Sequence, residues 1–402
     1  MMKATIKKSC AHGAVTAPPS KSVLHRMLIC AALSKEQSTI ENAYYSEDIL
    51  ATLDCLEQMG AKVERKRSAV KIGGLDPRRV PEGCVLPCRE SGSTLRFLVP
   101  LSLLCGKRVT FTGSEKLFSR PLGVYEEIAK NEGFLFEKGE RSLTVCGKLP
   151  SGEYRVAGNV SSQFITGLLF ALPFCGESKI QLTTELQSKS YVDITLSVMK
   201  KFGVSATWQN AGTLYLSSGQ TFGAFDCAAE GDCSSAAFLD AFNCFFGSVS
   251  VDGIAPDTLQ GDRVYKEYFK LLESGSPVLD VADCPDLAPI LMTVAAFKNG
   301  ATLKNTARLK MKESDRGETM KKELSAFGAK IDVLENEIVV HKAPLHAPER
   351  TLSSHNDHRV AMSLAVLSSA FGGEIDGAQA VSKSFPTFFE VIKNLGIRVD
   401  LI

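Results

Sequence analysis

The stretch SKSVLHRMLICAAL at 20–33 decides how the whole chain is read, because it is one of six. Its counterparts are SGSTLRFLVPLSLL at 91–104, SSQFITGLLFALPF at 161–174, SSAAFLDAFNCFF at 234–246, PDLAPILMTVAAF at 285–297 and NDHRVAMSLAVLSSAF at 356–371. Each opens on small or polar residues, runs into a mostly apolar stretch, and leads through Gly or a polar turn to a short strand. Their starts lie 71, 70, 73, 51 and 71 residues apart. Ser and Asn suit a helix N-cap, and an apolar composition on every side describes a buried helix.

A second, amphipathic helix follows each buried one, with apolar residues three or four apart and a Gly at its end. Ser46–Gly60 before AKVE, Tyr191–Gly203 before VSATW and Arg316–Gly328 before AKIDV show the pattern. The final copy, TFFEVIKNLGIRVDLI, ends the sequence. Six α/β units of this kind account for nearly all 402 residues. The pattern predicts an α/β protein of two domains, three units in each, with buried helices inside and strands outside. Repetition alone also suits a solenoid. The irregular spacing of 51 falls in the second half, and SGQTFGAF around Gly219 marks a candidate crossover.

Composition narrows the function. At 44% hydrophobic and 23% charged, the chain has the balance of a soluble globular protein. The charge sum is 46 − 45 = +1, which leaves no global field for nucleic acid or an anionic membrane. The longest apolar runs, such as Leu95–Cys105, fall short of a bilayer span, and the opening MMKATIKKSCAHGAV has no signal-peptide core. A cytoplasmic protein is expected, with no membrane partner. None of the twelve cysteines forms a C-x-x-C, and many lie in apolar runs as buried reduced thiols. No zinc motif surrounds His355 and His358, so no metal is expected.

The chemistry belongs where the buried helices begin, since unpaired N–H groups and a partial positive charge attract anions there. Cations gather at these points: Lys21 and Arg26, Arg96, and Arg359. Arg120, the KESDR run at 312–316 and Lys383 stand before amphipathic helices. A nearly neutral chain that concentrates cations in this way suits a small polyanion carrying phosphate and carboxylate. Solvated surface charge is the bland alternative for any one of them. It fits Lys21 poorly, in the rigid turn PPSKS, and His358-Arg359 poorly, at the start of an apolar helix. Asp286 and Glu313 also suit the helix dipole and a capping box. Ser161-Ser162-Gln163 offers both an N-cap and an uncharged phosphate cradle. Nucleotide-fold and serine-hydrolase motifs are absent from the sequence.

Nine short motifs, in order, carry a resemblance. PSKSVLHR at 19–26, SGSTLR at 91–96, SRP at 119–121, SSQ at 161–163, SKSYVDIT at 188–195, PDLAP at 285–289, KESDR at 312–316, NDHR at 356–359 and KSFP at 383–386 resemble the EPSP synthase family over essentially the full length. The resemblance implies a two-domain inside-out α/β barrel of six βαβαββ units. It divides the chain into 14–222 on the shikimate 3-phosphate side, and 1–13 with 223–402 carrying charged residues for phosphoenolpyruvate, about a cleft. It implies transfer of the enolpyruvyl group of phosphoenolpyruvate to the 5-hydroxyl of shikimate 3-phosphate, through a tetrahedral adduct that expels phosphate. Lys21, Ser22, Arg26, Ser161, Ser162, Gln163, Ser188, Tyr191, Asp286 and Lys312 would bind shikimate 3-phosphate. Lys21, Gly92, Arg120, Gln163, Arg316, His358, Arg359 and Lys383 would bind phosphoenolpyruvate. Asp286 is the candidate base for the hydroxyl, with Lys21 and Glu313 candidates for the other proton transfers. No cofactor is implied, and the family's habit is a monomer. Entry of so many anionic groups into one site implies domains that close on ligand, shikimate 3-phosphate binding first.

Three positions depart from the family's pattern. His25 stands where Asn is usual, Glu90-Ser91-Gly92 replaces Asn-Ala-Gly or Asn-Ser-Gly, and Arg308 takes a position often filled by Asn. They bear on ligand contacts and on the response to glyphosate, the herbicide that competes with phosphoenolpyruvate. The sister transferase acting on UDP-N-acetylglucosamine needs a loop cysteine that GSEKLFSRPLG at 113–123 lacks, and Asn after the lysine where Ser22 stands. A ligand-binding regulator on the same fold would have a broken charged set, and here it is intact. A nucleic-acid binder would interleave basic and aromatic residues.

Overall fold

The computed structural model describes residues 2–402. It divides into two compact units, one of Pro19–Glu230 and one of Met1–Pro18 with Gly231–Ile402. The expected boundary at 14 falls inside the strand His12–Thr16, which pairs with Ser248–Asp252 of the second half. The expected boundary at 222 stops short of Cys227–Ala228, which pairs with Ser38–Glu41 of the first unit. Strand pairing therefore moves both divisions C-terminally.

Pro19–Glu230 holds three four-stranded sheets of one design. In the second, Cys84–Arg89 lies parallel to Val109–Gly113, and the hairpin Leu135–Lys138 and Ser142–Cys146 adds antiparallel. The third repeats this with Glu153–Val156, Ser178–Leu182, Thr207–Asn210 and Thr213–Leu216. In the first, the distant Cys227–Ala228 supplies the opening strand. The expected buried helices are Lys21–Ala32, which leads into Ser38–Glu41, and Gly92–Ser102 and Ser162–Ala171, which cross between the parallel strands of their sheets. The second and third pack on each other, and ten of the twelve residues of the first are buried. Amphipathic Glu47–Met59 ends at Gly60, whose φ of 111° is the left-handed stop predicted there.

The other unit is built likewise but borrows and loses pieces. Val278–Asp280, Ala301–Lys304, Lys330–Val333 and Glu337–His341 form one sheet. In the next, Lys3–Lys7 sits between Gly373–Asp376 and Arg398–Leu401 and closes the last repeat from the opposite chain end. Among the described residues, the fourth repeat has only the parallel pair His12–Thr16 and Ser248–Asp252. Its second helix, Tyr265–Ser274, leads straight to Val278 without a hairpin. This missing hairpin is the cause of the short 51-residue spacing, so five units are complete and one is βαβα. Among the described residues, no helix is long and apolar enough to cross a membrane. All twelve cysteines are free thiols, and seven are buried.

Candidate active site

In Pro19–Glu230 the starts of the buried helices carry the polar groups. Lys21 opens the first helix and its Nζ donates to Asp48 Oδ2 at 2.7 Å. One turn on, Arg26 is 2% exposed. Its Nε donates to Thr195 Oγ1 at 2.7 Å, NH1 to the Ser22 carbonyl at 2.7 Å, and NH2 to the Tyr191 carbonyl at 3.0 Å. The guanidinium lies over the rings of Phe97 and Tyr191, at 5.1 and 5.9 Å. Every one of these partners is neutral. Burial lowers the Arg26 guanidinium to about 10, still charged at neutral pH.

At the second buried helix, a Cβ on Gly92 would come within 2.6 Å of Arg120 NH1 and 2.9 Å of Arg96 NH1. Two guanidiniums thus crowd the positive end of a helix, and any side chain at position 92 would push them aside. Arg96 NH1 donates to Gln163 Oε1 at 2.8 Å and NH2 to the Pro121 carbonyl at 2.9 Å. Gln163 Nε2 donates to Ser93 Oγ at 2.9 Å. Ser161 caps the third helix by accepting from Gln163 N at 3.3 Å, with buried Ser162 beside it. Ser188 is buried in a left-handed conformation, φ 58°, where its helix begins. The structure therefore gathers Lys21, Ser22, Arg26 and Tyr191 in one group, and Gly92, Arg120, Ser161 and Gln163 around Arg96.

In the other unit, Asp286 is the meeting point. Its Oδ1 accepts from Arg316 NH1 at 2.6 Å and Lys312 Nζ at 3.3 Å, and its Oδ2 from Arg359 NH2 at 2.9 Å. Burial alone would raise this carboxyl, but Arg359, then Lys312 and Arg316, hold it well below the usual range. Arg316 is 1% exposed and also reaches Glu313 Oε2 at 2.8 Å and Asp357 Oδ2 at 2.9 Å. Burial opposes its charge, yet Asp357, Glu313 and Asp286 raise it overall. Burial lowers Lys312 against the pull of Asp286. Asp357 caps the helix His358–Phe371 through Arg359 N at 2.9 Å. His358 Nδ1 lies 3.9 Å from Asp357 Oδ1, and Lys383 Nζ donates to the Asn356 carbonyl at 2.5 Å. Arg308, one of the departures, donates to the Ala282 carbonyl at 2.7 Å.

Four residues of these clusters had no assigned role. Arg96 was legible as a cation at a helix start, and Asp357 belongs to the NDHR motif. Asp48 and Asp262 gave no signal, since each reaches its cluster only through the fold. Asp262 is buried, accepts from the Ser234 hydroxyl, and feels Asp286 and Arg359 electrostatically.

A model of the EPSP synthase (3-phosphoshikimate 1-carboxyvinyltransferase) family matches residues 7–392. A 3-phosphoshikimate 1-carboxyvinyltransferase of Clostridium kluyveri is 41% identical over 100% of this chain and 99% of its own. One from Clostridium novyi is 39% identical over 97% and 96%. Among solved structures, EPSP synthase from Acinetobacter baumannii matches with a TM-score of 0.79 at 22% identity, covering 100% of both chains. The enolpyruvyl transferase NikO from Streptomyces tendae matches at 0.78 and 13% identity, covering 100% of this chain and 98% of that one. At those identities the structural likeness speaks for the fold.

Proposed function

This chain belongs to the EPSP synthase family, the 3-phosphoshikimate 1-carboxyvinyltransferases of the shikimate pathway, and we propose how its own residues carry the reaction. It moves the enolpyruvyl group of phosphoenolpyruvate onto the 5-hydroxyl of shikimate 3-phosphate. The observation that carries the assignment is Arg26, a buried cation surrounded by hydroxyls, carbonyls and rings, with no carboxylate among the described residues to neutralise it. Such a charge is costly until an anion arrives nearby. Arg26, Lys21 and Ser22 meet shikimate 3-phosphate, whose phosphate is cradled by Ser161, Ser162 and Ser188. Gln163 and Tyr191 flank the ring, and Asp286 and Lys312 hold its hydroxyls. Lys21, Gly92, Arg120, Gln163, Arg316, His358, Arg359 and Lys383 bind phosphoenolpyruvate.

The 5-hydroxyl oxygen attacks C2 of phosphoenolpyruvate while C3 gains a proton, and the hydroxyl proton passes to a base. The tetrahedral adduct then breaks its C2–O bond to phosphate, and C3 returns a proton to restore the double bond. Asp286 is the base for the hydroxyl. Without ligand, its three cations make it a weak one. A donor carboxylate that takes up Arg316 and Arg359 loosens their hold, so Asp286 becomes more basic when the donor is present. Lys21 and Glu313 serve the C3 and leaving-group protons. The arginines orient both anions and stabilise charge as it develops. On this reading the protein works as a cytoplasmic monomer without metal or organic cofactor.

The test is phosphate release from phosphoenolpyruvate by wild type and Lys21→Ala. Release should require shikimate 3-phosphate and fall about 10²–10⁴-fold in the variant, as for loss of a proton-transferring group. A folded wild type that releases nothing, with UDP-N-acetylglucosamine also inert, would make this a binding protein.

A further inference from the structure

His25 takes no part in the reaction as described, yet it heads a buried chain that ends at the proposed donor site. It is 1% exposed, and its Nδ1 lies 2.8 Å from Thr52 Oγ1. Thr52 Oγ1 lies 2.7 Å from Thr94 Oγ1, which donates to Ser91 Oγ at 2.7 Å. Ser91 Oγ also accepts from Thr94 N at 3.2 Å and so caps the helix Gly92–Ser102. Thr52, Thr94 and Ser91 are all fully buried. The chain thus ties together the helices Lys21–Ala32, Glu47–Met59 and Gly92–Ser102.

Counting protons fixes its direction. A hydroxyl has one proton to donate. Thr94 gives its proton to Ser91, so Thr52 must give its own to Thr94. The Thr52 oxygen is left to accept, and Nδ1 of His25 must supply the proton. Burial first, then the charges of Lys21 and Arg26, pushes the imidazole well below its ordinary pKa and keeps it neutral. His25 is therefore the Nδ1–H tautomer, and its buried Nε2 has no partner among the described residues. The same chain passes the residue that holds Lys21, because Thr94 Oγ1 lies 3.5 Å from the Asp48 carbonyl.

We propose that His25 is a positioning residue for the donor substrate: its Nδ1–H orients the Thr52–Thr94–Ser91 chain, which holds the start of the Gly92 helix against Arg96, Arg120 and Gln163. The proposal rests on the assignment of Gly92, Arg120 and Gln163 to phosphoenolpyruvate. With no donor at position 25, Thr52 and Thr94 can reverse and the Ser91 cap relaxes. Gly92 and Ser93 then shift relative to the two guanidiniums and the amide that Ser93 accepts from. The usual Asn at this position explains itself in the same terms. Its Nδ2 stands the same number of bonds from the backbone as Nδ1 of histidine, so either residue presents a donor there.

The test compares wild type, His25→Asn, His25→Phe, Thr52→Val and the double variant His25→Phe/Thr52→Val in steady-state kinetics on both substrates. Loss of a helix cap corresponds to about five- to tenfold. His25→Phe and Thr52→Val should each raise KM for phosphoenolpyruvate by about that factor, with KM for shikimate 3-phosphate unchanged within about twofold. The double variant should be no worse than either single one, and His25→Asn should restore the wild-type value. If His25→Phe does not fold, Thr52→Val against His25→Asn gives the same comparison. Equal rises in both KM values, additive effects, or His25→Asn behaving like His25→Phe would overturn the proposal. An inactive wild type would instead sink the activity itself.

Discussion

Asp262 and Asp286 are buried carboxylates of one unit whose surroundings drive them in opposite directions. Asp286 is held low by three cations. Asp262 has the Ser234 hydroxyl on one oxygen and, among the described residues, no hydrogen-bond partner on the other, Oδ1. Burial first, then the charge of Asp286, pushes it up to about 7, against Arg359 and the Ser234 hydrogen bond, with Asp232 adding a smaller rise. An unfolded Asp titrates near 3.9, so between pH of about 4 and 7 the folded form keeps a proton that the unfolded form has lost. Asp262 therefore draws down stability as pH rises through that window, and the loss levels off above it. Asp262→Asn keeps an acceptor for Ser234 and removes the titration. Its unfolding free energy in urea should exceed that of wild type by about 1–4 kcal/mol at pH 8, with the difference vanishing near pH 4. The same difference at both pH values would remove the titration from Asp262. No sequence signal marks this residue: it lies in QGDRVYKEYF, and only the fold sets it near Asp286. Lys21 and Arg359 stand out in the sequence because each opens a buried apolar helix, and Arg316 because it closes the KESDR run before an amphipathic one.

The helix Gly92–Ser102 carries Pro100 in its interior, where the ring leaves the carbonyl four residues back without its usual N–H. That carbonyl belongs to Arg96, and the Tyr125 hydroxyl donates to it at 2.6 Å. Gly167 of the neighbouring buried helix lets both approach, since a Cβ there would stand 2.3 Å from the Arg96 carbonyl oxygen and 2.3 Å from the Tyr125 hydroxyl. Tyr125 is 2% exposed, so no water stands ready to replace it. Tyr125→Phe should cost about 1–3 kcal/mol in urea unfolding, the penalty of a buried acceptor left unmet. A loss under about 0.5 kcal/mol would mean that the carbonyl finds another donor. The helix itself was legible from its apolar run and its Ser91 cap, but this repair was not, because proline, tyrosine and glycine come from three separate segments. Caps show the same division. Ser91 and Ser161 cap as the sequence suggests, whereas Ser20 makes no side-chain cap bond, and Asp232 and Asp357 do the work expected of Ser234 and Asn356.

Across the whole molecule, buried helices announce themselves because a run apolar on all sides has no other stable place, and their period carries the repeat. Short strands carry little pattern of their own, and their partners lie far away in the chain. Hence Lys3–Lys7 beside Gly373–Asp376, and Cys227–Ala228 beside Ser38–Glu41, could not be read from the sequence. Those pairings define what each unit needs to fold. Pro19–Glu230 is continuous, includes its borrowed edge strand, and has its ends joined by Ser20 N donating to the Glu230 carbonyl at 2.7 Å. In the other unit, Asp232 N donates to the Pro18 carbonyl at 2.8 Å, which brings the two sides of the insertion together. A fragment of residues 19–230 therefore has three complete sheets, its own buried helices and neighbouring termini. It should fold alone and unfold cooperatively in urea, although without Asp286, Arg316 and Arg359 it should release no phosphate from phosphoenolpyruvate. Ending the fragment at 222 removes Cys227–Ala228 and exposes the edge of Ser38–Glu41, so that shorter form should be less stable. A broad, non-cooperative transition for 19–230, or equal stability of the two fragments, would show that strand pairing does not set the limits of the folding unit.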